Sequence, residues 1–230
     1  MKTKALKAAF PHTLPVLTGY LFLGIAFGIL LSSKGYPYGF AILMSVFIFA
    51  GSMQFVAIGL LTSGFHPLTA VIMTLIVNAR HLFYGLSMLK SFQGMGKMKP
   101  YMIFALTDET FSLLLSAEPP EGVDRRWFSF FIALLDQLYW VTGSAIGGVM
   151  GWVFTFDTKG IDFVMTALFV VIFIEQWEKC RGRIPALVGV GSSVLCLILF
   201  GPDRFIVPAM LLMLLILTAF RKQLKGGDEV

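Results

Sequence analysis

The sequence predicts an all-α integral membrane protein, a polytopic helical bundle of seven or eight spans. Three observations predict it. Of 230 residues, 57% are hydrophobic and only 13% are charged, against about 25% charged in a soluble domain; mean hydropathy is +0.82. Apolar runs near the ~20 residues that a bilayer crossing needs recur along the chain. The 18 Lys and Arg residues sit mostly at the ends of those runs, so the net charge of +5 marks topology and not nucleic-acid binding.

Segment one spans about Leu14–Ser33 and carries Gly24-x-x-x-Gly28, a small-residue ridge that admits a close neighbouring helix. Lys2, Lys4 and Lys7 precede it without a small-residue cleavage site after the apolar part, so no removed signal peptide is expected. Segment two spans about Tyr38–Leu61 and holds Gly51-Ser52-Met53-Gln54. Two readings stand there. Either the helix is discontinuous near Gly51–Gln54 and lines a cavity, or it is straight, its small residues pack and Gln54 bonds a neighbouring helix.

Segment three, Leu68–Leu89, contains Asn78-Ala79-Arg80-His81. A central arginine costs ~2.5–3.5 kcal/mol on insertion scales, which a partner, a water-filled cavity or a function must offset. At ~100° per residue, Thr74, Asn78, Arg80, His81, Tyr84 and Ser87 share one half of the helix, and Ile72, Leu75 and Leu86 lie on the other. Arg80 and His81 either satisfy polar groups in a packed bundle or line a polar path. Segment four, about Tyr101–Ala117, is interrupted by Thr107-Asp108-Glu109-Thr110. As a helix it places Ala105, Asp108, Glu109, Ser112 and Ser116 on one face. Two neighbouring carboxyls in apolar surroundings do not both ionise easily. One of Asp108 and Glu109 is therefore a candidate proton carrier, or a counter-ion for Arg80.

The polar loop Glu118–Arg126 follows. It is read as a connection inside one transmembrane domain covering 1–230, with 1–117 and 127–220 as candidate halves. Segment five, about Trp127–Val153, lines up Asp136, Trp140, Gly143, Gly147 and Gly151 on one ridge. Asp136 is deep enough to need a partner. Segment six, about Asp162–Lys179, ends with Glu175 and Lys179 at ion-pair spacing. Segments seven and eight, about Pro185–Phe200 and Arg204–Phe220, are joined by the turn Gly201-Pro202-Asp203-Arg204. With eight crossings and a cytoplasmic N-terminus, eleven Lys and Arg lie inside and six outside, Arg80 excluded. That favours the N-inside arrangement, although Lys90, Lys97 and Lys99 fall on the wrong side. Gly24-x-x-x-Gly28 and Gly147-x-x-x-Gly151 form a faint internal echo.

The chemistry of other classes is missing from the sequence. Cys180 and Cys196 give neither a disulfide framework nor metal spacing, and His12, His66 and His81 are far apart. There is no His-Glu-x-x-His, no Gly-x-Ser-x-Gly and no phosphate-binding glycine loop. No enzyme activity, cofactor, metal or nucleic acid is expected, and transport by this chain would be secondary, driven by an ion gradient.

The chain resembles the AzlC family, the large subunit of bacterial branched-chain amino acid exporters. The resemblance runs over nearly the full length. It rests on Phe49-Ala50-Gly51-Ser52-Met53-Gln54-Phe55, on Asn78-Ala79-Arg80-His81 with Tyr84 and Ser87, on Thr107-Asp108-Glu109, on Asp136 with Trp140 and Gly143, and on Gly201-Pro202. It implies export of Leu, Ile, Val and sometimes Met from the bacterial cytoplasm across the cell membrane, with a small AzlD-type membrane subunit as partner. It supplies no site residues. From the residues themselves, the expected substrate-binding set is Gln54, Asn78, Arg80, His81, Asp108, Glu109 and Asp136. Arg80 or a backbone end near Gly51–Gln54 would take the carboxylate, and Asp108, Glu109 or Asp136 the ammonium. Protons are the first choice of coupling ion, carried by Asp108, Glu109 or His81. The alternatives are an ion-conducting channel or an importer of another small zwitterion.

Overall fold

The computed structural model describes residues 2–62, 64, 66–154, 184–201 and 205–219, with 163, 167, 170, 173, 174 and 177; the side chains of 76, 79, 80, 82, 83, 185, 206, 207, 210 and 214 are not among those described. All regular structure among the described residues is helical. Two compact units divide the chain, Met1–Met165 and Thr166–Val230.

The first unit is built on two long helices. Helix α1 is Lys2–Ser33 and α7 is Arg125–Val153; both are long and apolar enough to cross a bilayer. Segment one therefore begins well before Leu14. Residues ahead of it stay helical through Pro11 and Pro15, because Ala5, Ala9 and Thr13 are fully buried. The added turns meet the start of α7: Lys2 Nζ lies 4.4 Å from the Trp127 ring centroid, His12 meets Phe128 edge-on at 5.4 Å, and the Thr13 and Tyr139 hydroxyls are 3.0 Å apart. Asp124 caps α7 by accepting from the Arg126 amide at 2.8 Å.

The two helices run side by side in the same direction. Tyr20 reaches Trp140, Gly24 lies against Ser144, and Gly28 lies against Gly147 and Gly148. A Cβ on Gly24 would come within 2.9 Å of the Ser144 amide nitrogen, and one on Gly143 within 2.8 Å of the Leu21 carbonyl. The two glycine ridges noted in the sequence are thus one interface. Bare backbone on both sides permits the dispersion contacts that hold helices together where lipid offers no hydrophobic gain.

Segments two and four are each broken. Segment two forms α2, Tyr38–Phe47, and α3, Gly51–Thr62. At the break Phe49 has φ 43°, a left-handed conformation that a bulky side chain rarely adopts. Segment four forms α5, Lys99–Phe104, and α6, Asp108–Ser116. Its break, at 105–107, precedes the acidic pair, so Asp108 and Glu109 open a new helix. Ala105 is then off the face expected of it, and that face holds only from Asp108 to Ser116. Thr107 caps α6 by accepting from the Thr110 amide at 3.2 Å, and two acidic residues in the first turn suit the positive end of the helix dipole.

Between the broken pairs lies α4, Pro67–Met88, which carries Asn78–His81 without interruption. Leu75 and Leu86, on its apolar half, are 67% and 65% exposed, as a lipid-facing surface requires. In the second unit α8, Ile184–Phe200, packs with α9, Ile206–Ala219. These helices follow segments seven and eight closely. The expected Glu175–Lys179 pair and most of the Gly201–Arg204 turn lie outside the described residues.

Candidate functional site

The two breaks meet. Phe49, in the first, packs on Phe104, the last residue of α5, with centroids 6.3 Å apart. Tyr20 of α1 meets Phe49 edge-on at 6.4 Å and Trp140 at 5.5 Å. One aromatic cluster therefore joins the ends of two half-helices to both long helices.

Helix α7 then binds all four half-helices through polar side chains on one face. Gln137 Nε2 donates to the Val46 carbonyl of α2 at 3.1 Å, satisfying a group that the break leaves without its helical partner. The Tyr101 hydroxyl of α5 donates to Gln137 Oε1 at 2.7 Å. The Trp140 indole donates to Gln54 Oε1 of α3 at 2.9 Å. Gln54 Nε2 donates to the Ser45 hydroxyl at 3.1 Å, which donates to the Ser144 hydroxyl at 2.7 Å. The Thr110 hydroxyl of α6 donates to Asp136 Oδ2 at 2.8 Å. Irregular backbone survives in lipid only where such partners replace the lost helical bonds. Both readings of Gly51–Gln54 hold in part: the helix is broken just before Gly51, and Gln54 bonds neighbouring helices.

A second chain of hydrogen bonds runs through the start of α6. The Tyr20 hydroxyl donates to Glu109 Oε2 at 2.7 Å and is 2.7 Å from the Thr107 hydroxyl. The Thr107 hydroxyl donates to that of Thr110 at 2.9 Å. Glu109 and Asp136, far apart in sequence, are thus joined through three hydroxyls. Asp136 is fully buried, and its Oδ1 has no hydrogen-bond partner among the described residues. Asp108 and Glu109 are half-buried.

Of the expected site residues, Asp136 and Glu109 are thus joined by one chain of hydrogen bonds, and Gln54 belongs to a separate one on the same helix α7. His81 and Asn78 are half-buried on α4; the His81 ring is 5.7 Å from Tyr84, which stacks on Phe111 of α6 at 4.5 Å. The polar half of α4 therefore reaches α6. The Arg80 side chain lies outside the described residues. Among the described residues there is no group of three His, Cys, Asp or Glu that would hold a metal. Sequence reasoning missed Tyr20, Thr107, Thr110 and Gln137. A phenol in the middle of an apolar run is a usable signal for Tyr20.

Long apolar helices with exposed hydrophobic flanks, enclosing a polar network around two helix breaks, define an all-helical membrane protein. Residues 15–154, which end with α7, match the family model described as AzlC protein. The chain belongs to the AzlC family. It is 54% identical to the branched-chain amino acid transport protein AzlC of Bacillus subtilis, over 97% of this chain and 88% of that one. An uncharacterized membrane protein of Helicobacter pylori is 48% identical over 96% of this chain and 97% of its own length. The inner membrane protein YgaZ of Escherichia coli is 26% identical over 79% and 78%. No solved structure matches the chain.

Proposed function

We propose that this chain is a secondary transporter that exports branched-chain amino acids across the bacterial cytoplasmic membrane in exchange for protons, as one transport domain working with a small AzlD-type subunit. The observation that carries the reading is the meeting of two broken helices beside Asp108 and Glu109. Half-helix ends at a break are the usual means of holding a small ion or zwitterion inside a membrane protein. The printed name of the Bacillus subtilis relative supplies the substrate class. Asp108 or Glu109 takes the substrate ammonium, and the backbone N–H groups at the start of α3, or Arg80, take the carboxylate. Phe49 and Phe104 are suited to the apolar tail. The parallel course of α1 and α7 supports counting α2 with α3, and α5 with α6, as one crossing each: three crossings between them restore the direction.

Reconstituted protein, with and without the small subunit, tests this. Labelled Leu, Ile and Val leave loaded vesicles faster when the proton concentration is higher outside, while labelled Lys and Asp do not. Equal leakage of all five, or flux that follows sodium and ignores protons, contradicts the proposal.

A further inference from the structure

The hydrogen bonds from Glu109 to Asp136 cannot all be made by the groups between them. There are four contacts: Glu109 to Tyr20 at 2.7 Å, Tyr20 to Thr107 at 2.7 Å, Thr107 to Thr110 at 2.9 Å and Thr110 to Asp136 at 2.8 Å. Each needs a proton between its two oxygens, and a hydroxyl supplies one. Three hydroxyls supply three. The fourth proton must sit on one of the two carboxyls.

We infer that Glu109 and Asp136 share a single proton, and that Tyr20, Thr107 and Thr110 form a relay that carries it between them. This rests on the proton-coupled transport reading for its purpose, but not for its geometry. With the proton on Asp136, the carboxyl donates to Thr110, Thr110 to Thr107, Thr107 to Tyr20 and Tyr20 to the Glu109 carboxylate. If each oxygen passes its proton onward, Asp136 becomes the carboxylate, Glu109 the acid, and all four bonds reverse. Every hydroxyl loses one proton and gains one, so nothing else is consumed.

The surroundings suit this role. Asp136 is fully buried and takes part in no ion pair among the described residues. An isolated buried charge is costly, whereas a protonated Oδ2 leaves Oδ1 as a neutral carbonyl. Among the described residues, the titratable groups facing Asp136 are Tyr20 from α1, Glu109 from α6 and Tyr101 from α5. On the α4 face that reaches α6, the titratable groups among the described side chains are Tyr84 and His81. Glu109, half-buried, is the end open to exchange, and Asp136 is the closed end. Thr107 and Tyr20 act by passing the proton and not by touching the amino acid.

Infrared spectroscopy of the purified protein near neutral pH tests the shared proton without reference to transport. One protonated buried carboxyl band is expected, shifted by Tyr20→Phe and lost in Asp136→Asn combined with Glu109→Gln. The absence of any such band overturns the inference. Labelled leucine in vesicles tests the relay. Thr110→Val should lower flux driven by a pH gradient at least ten-fold while leaving leucine–leucine exchange, measured without a gradient, within two-fold; Thr110→Ser should restore the driven flux. Driven flux retained by Thr110→Val, or driven flux and exchange falling together in both variants, overturns the relay. Wild-type leucine flux indifferent to the pH gradient would instead sink the transport reading, with the infrared band deciding separately whether the proton is shared.

Discussion

The Trp140 indole donates to the Gln54 carboxamide at 2.9 Å, and that bond ties the continuous helix α7 to the start of the interrupted helix α3. Both groups are buried, Gln54 completely. Removing the donor strands an acceptor, at a cost of ~1–3 kcal/mol. Trp140→Phe should therefore melt at lower temperature in detergent. Gln54→Met in the same chain should recover part of the loss, because both polar partners are then gone. A thermal-melt double-mutant cycle checks it; strictly additive losses would deny the coupling.

Phe49 is buried and left-handed at φ 43°. Its side chain packs on Phe104 and Tyr20, so any truncation loses contacts. Glycine, however, tolerates this backbone and alanine does not. Phe49→Gly should be more stable than Phe49→Ala by about 1 kcal/mol, reversing the order found inside a regular helix. Melting temperatures of the two variants decide it.

The α1–α7 contact has no room for side chains. Gly147→Val would push the Ile25 backbone away, and overpacking of this kind costs ~1–3 kcal/mol or more. Gly59→Ala, where nothing lies within 4 Å, should be neutral or stabilising by up to ~1 kcal/mol. Size-exclusion profiles and melts of the two variants provide the comparison.

Asp124 caps α7 outside the membrane-spanning part. Its hydrogen bonds to Arg126 hold the carboxyl below the ordinary aspartate range. A depressed group contributes stability above its unfolded pKa and loses it as pH falls through the folded value. The stability gap between wild type and Asp124→Ala should thus be present at neutral pH and close under strong acid. A gap that widens with acid contradicts the assignment.

How much of this was legible in the sequence varies with the physics. Composition and hydropathy set the helical membrane class, and the glycine spacing marked the surfaces that pack, though not that Gly24 and Gly147 belong to one interface. Gly51–Gln54 pointed to the first break. The second break lies slightly ahead of where the sequence puts it, because Asp108 and Glu109 look like intruders in a helix when they are its first turn, capped by Thr107. Asp136 could be seen to need a partner, but that partner is Thr110, a short hydroxyl residue with no pattern of its own. Tyr20 stands out as a phenol in an apolar run, but its role does not, because which residues fill the space between two carboxyls depends on how distant segments pack.

The central claim is that the acidic start of α6, at the meeting of the two breaks, holds the amino acid. Leucine binding to reconstituted protein, with and without the small subunit, tests it most directly when wild type is compared with Glu109→Gln. Loss of the charge partner of the ammonium should weaken binding about ten-fold or more, while Lys97→Gln, in the loop before α5, leaves it unchanged. Equal affinity in wild type and Glu109→Gln would contradict the account.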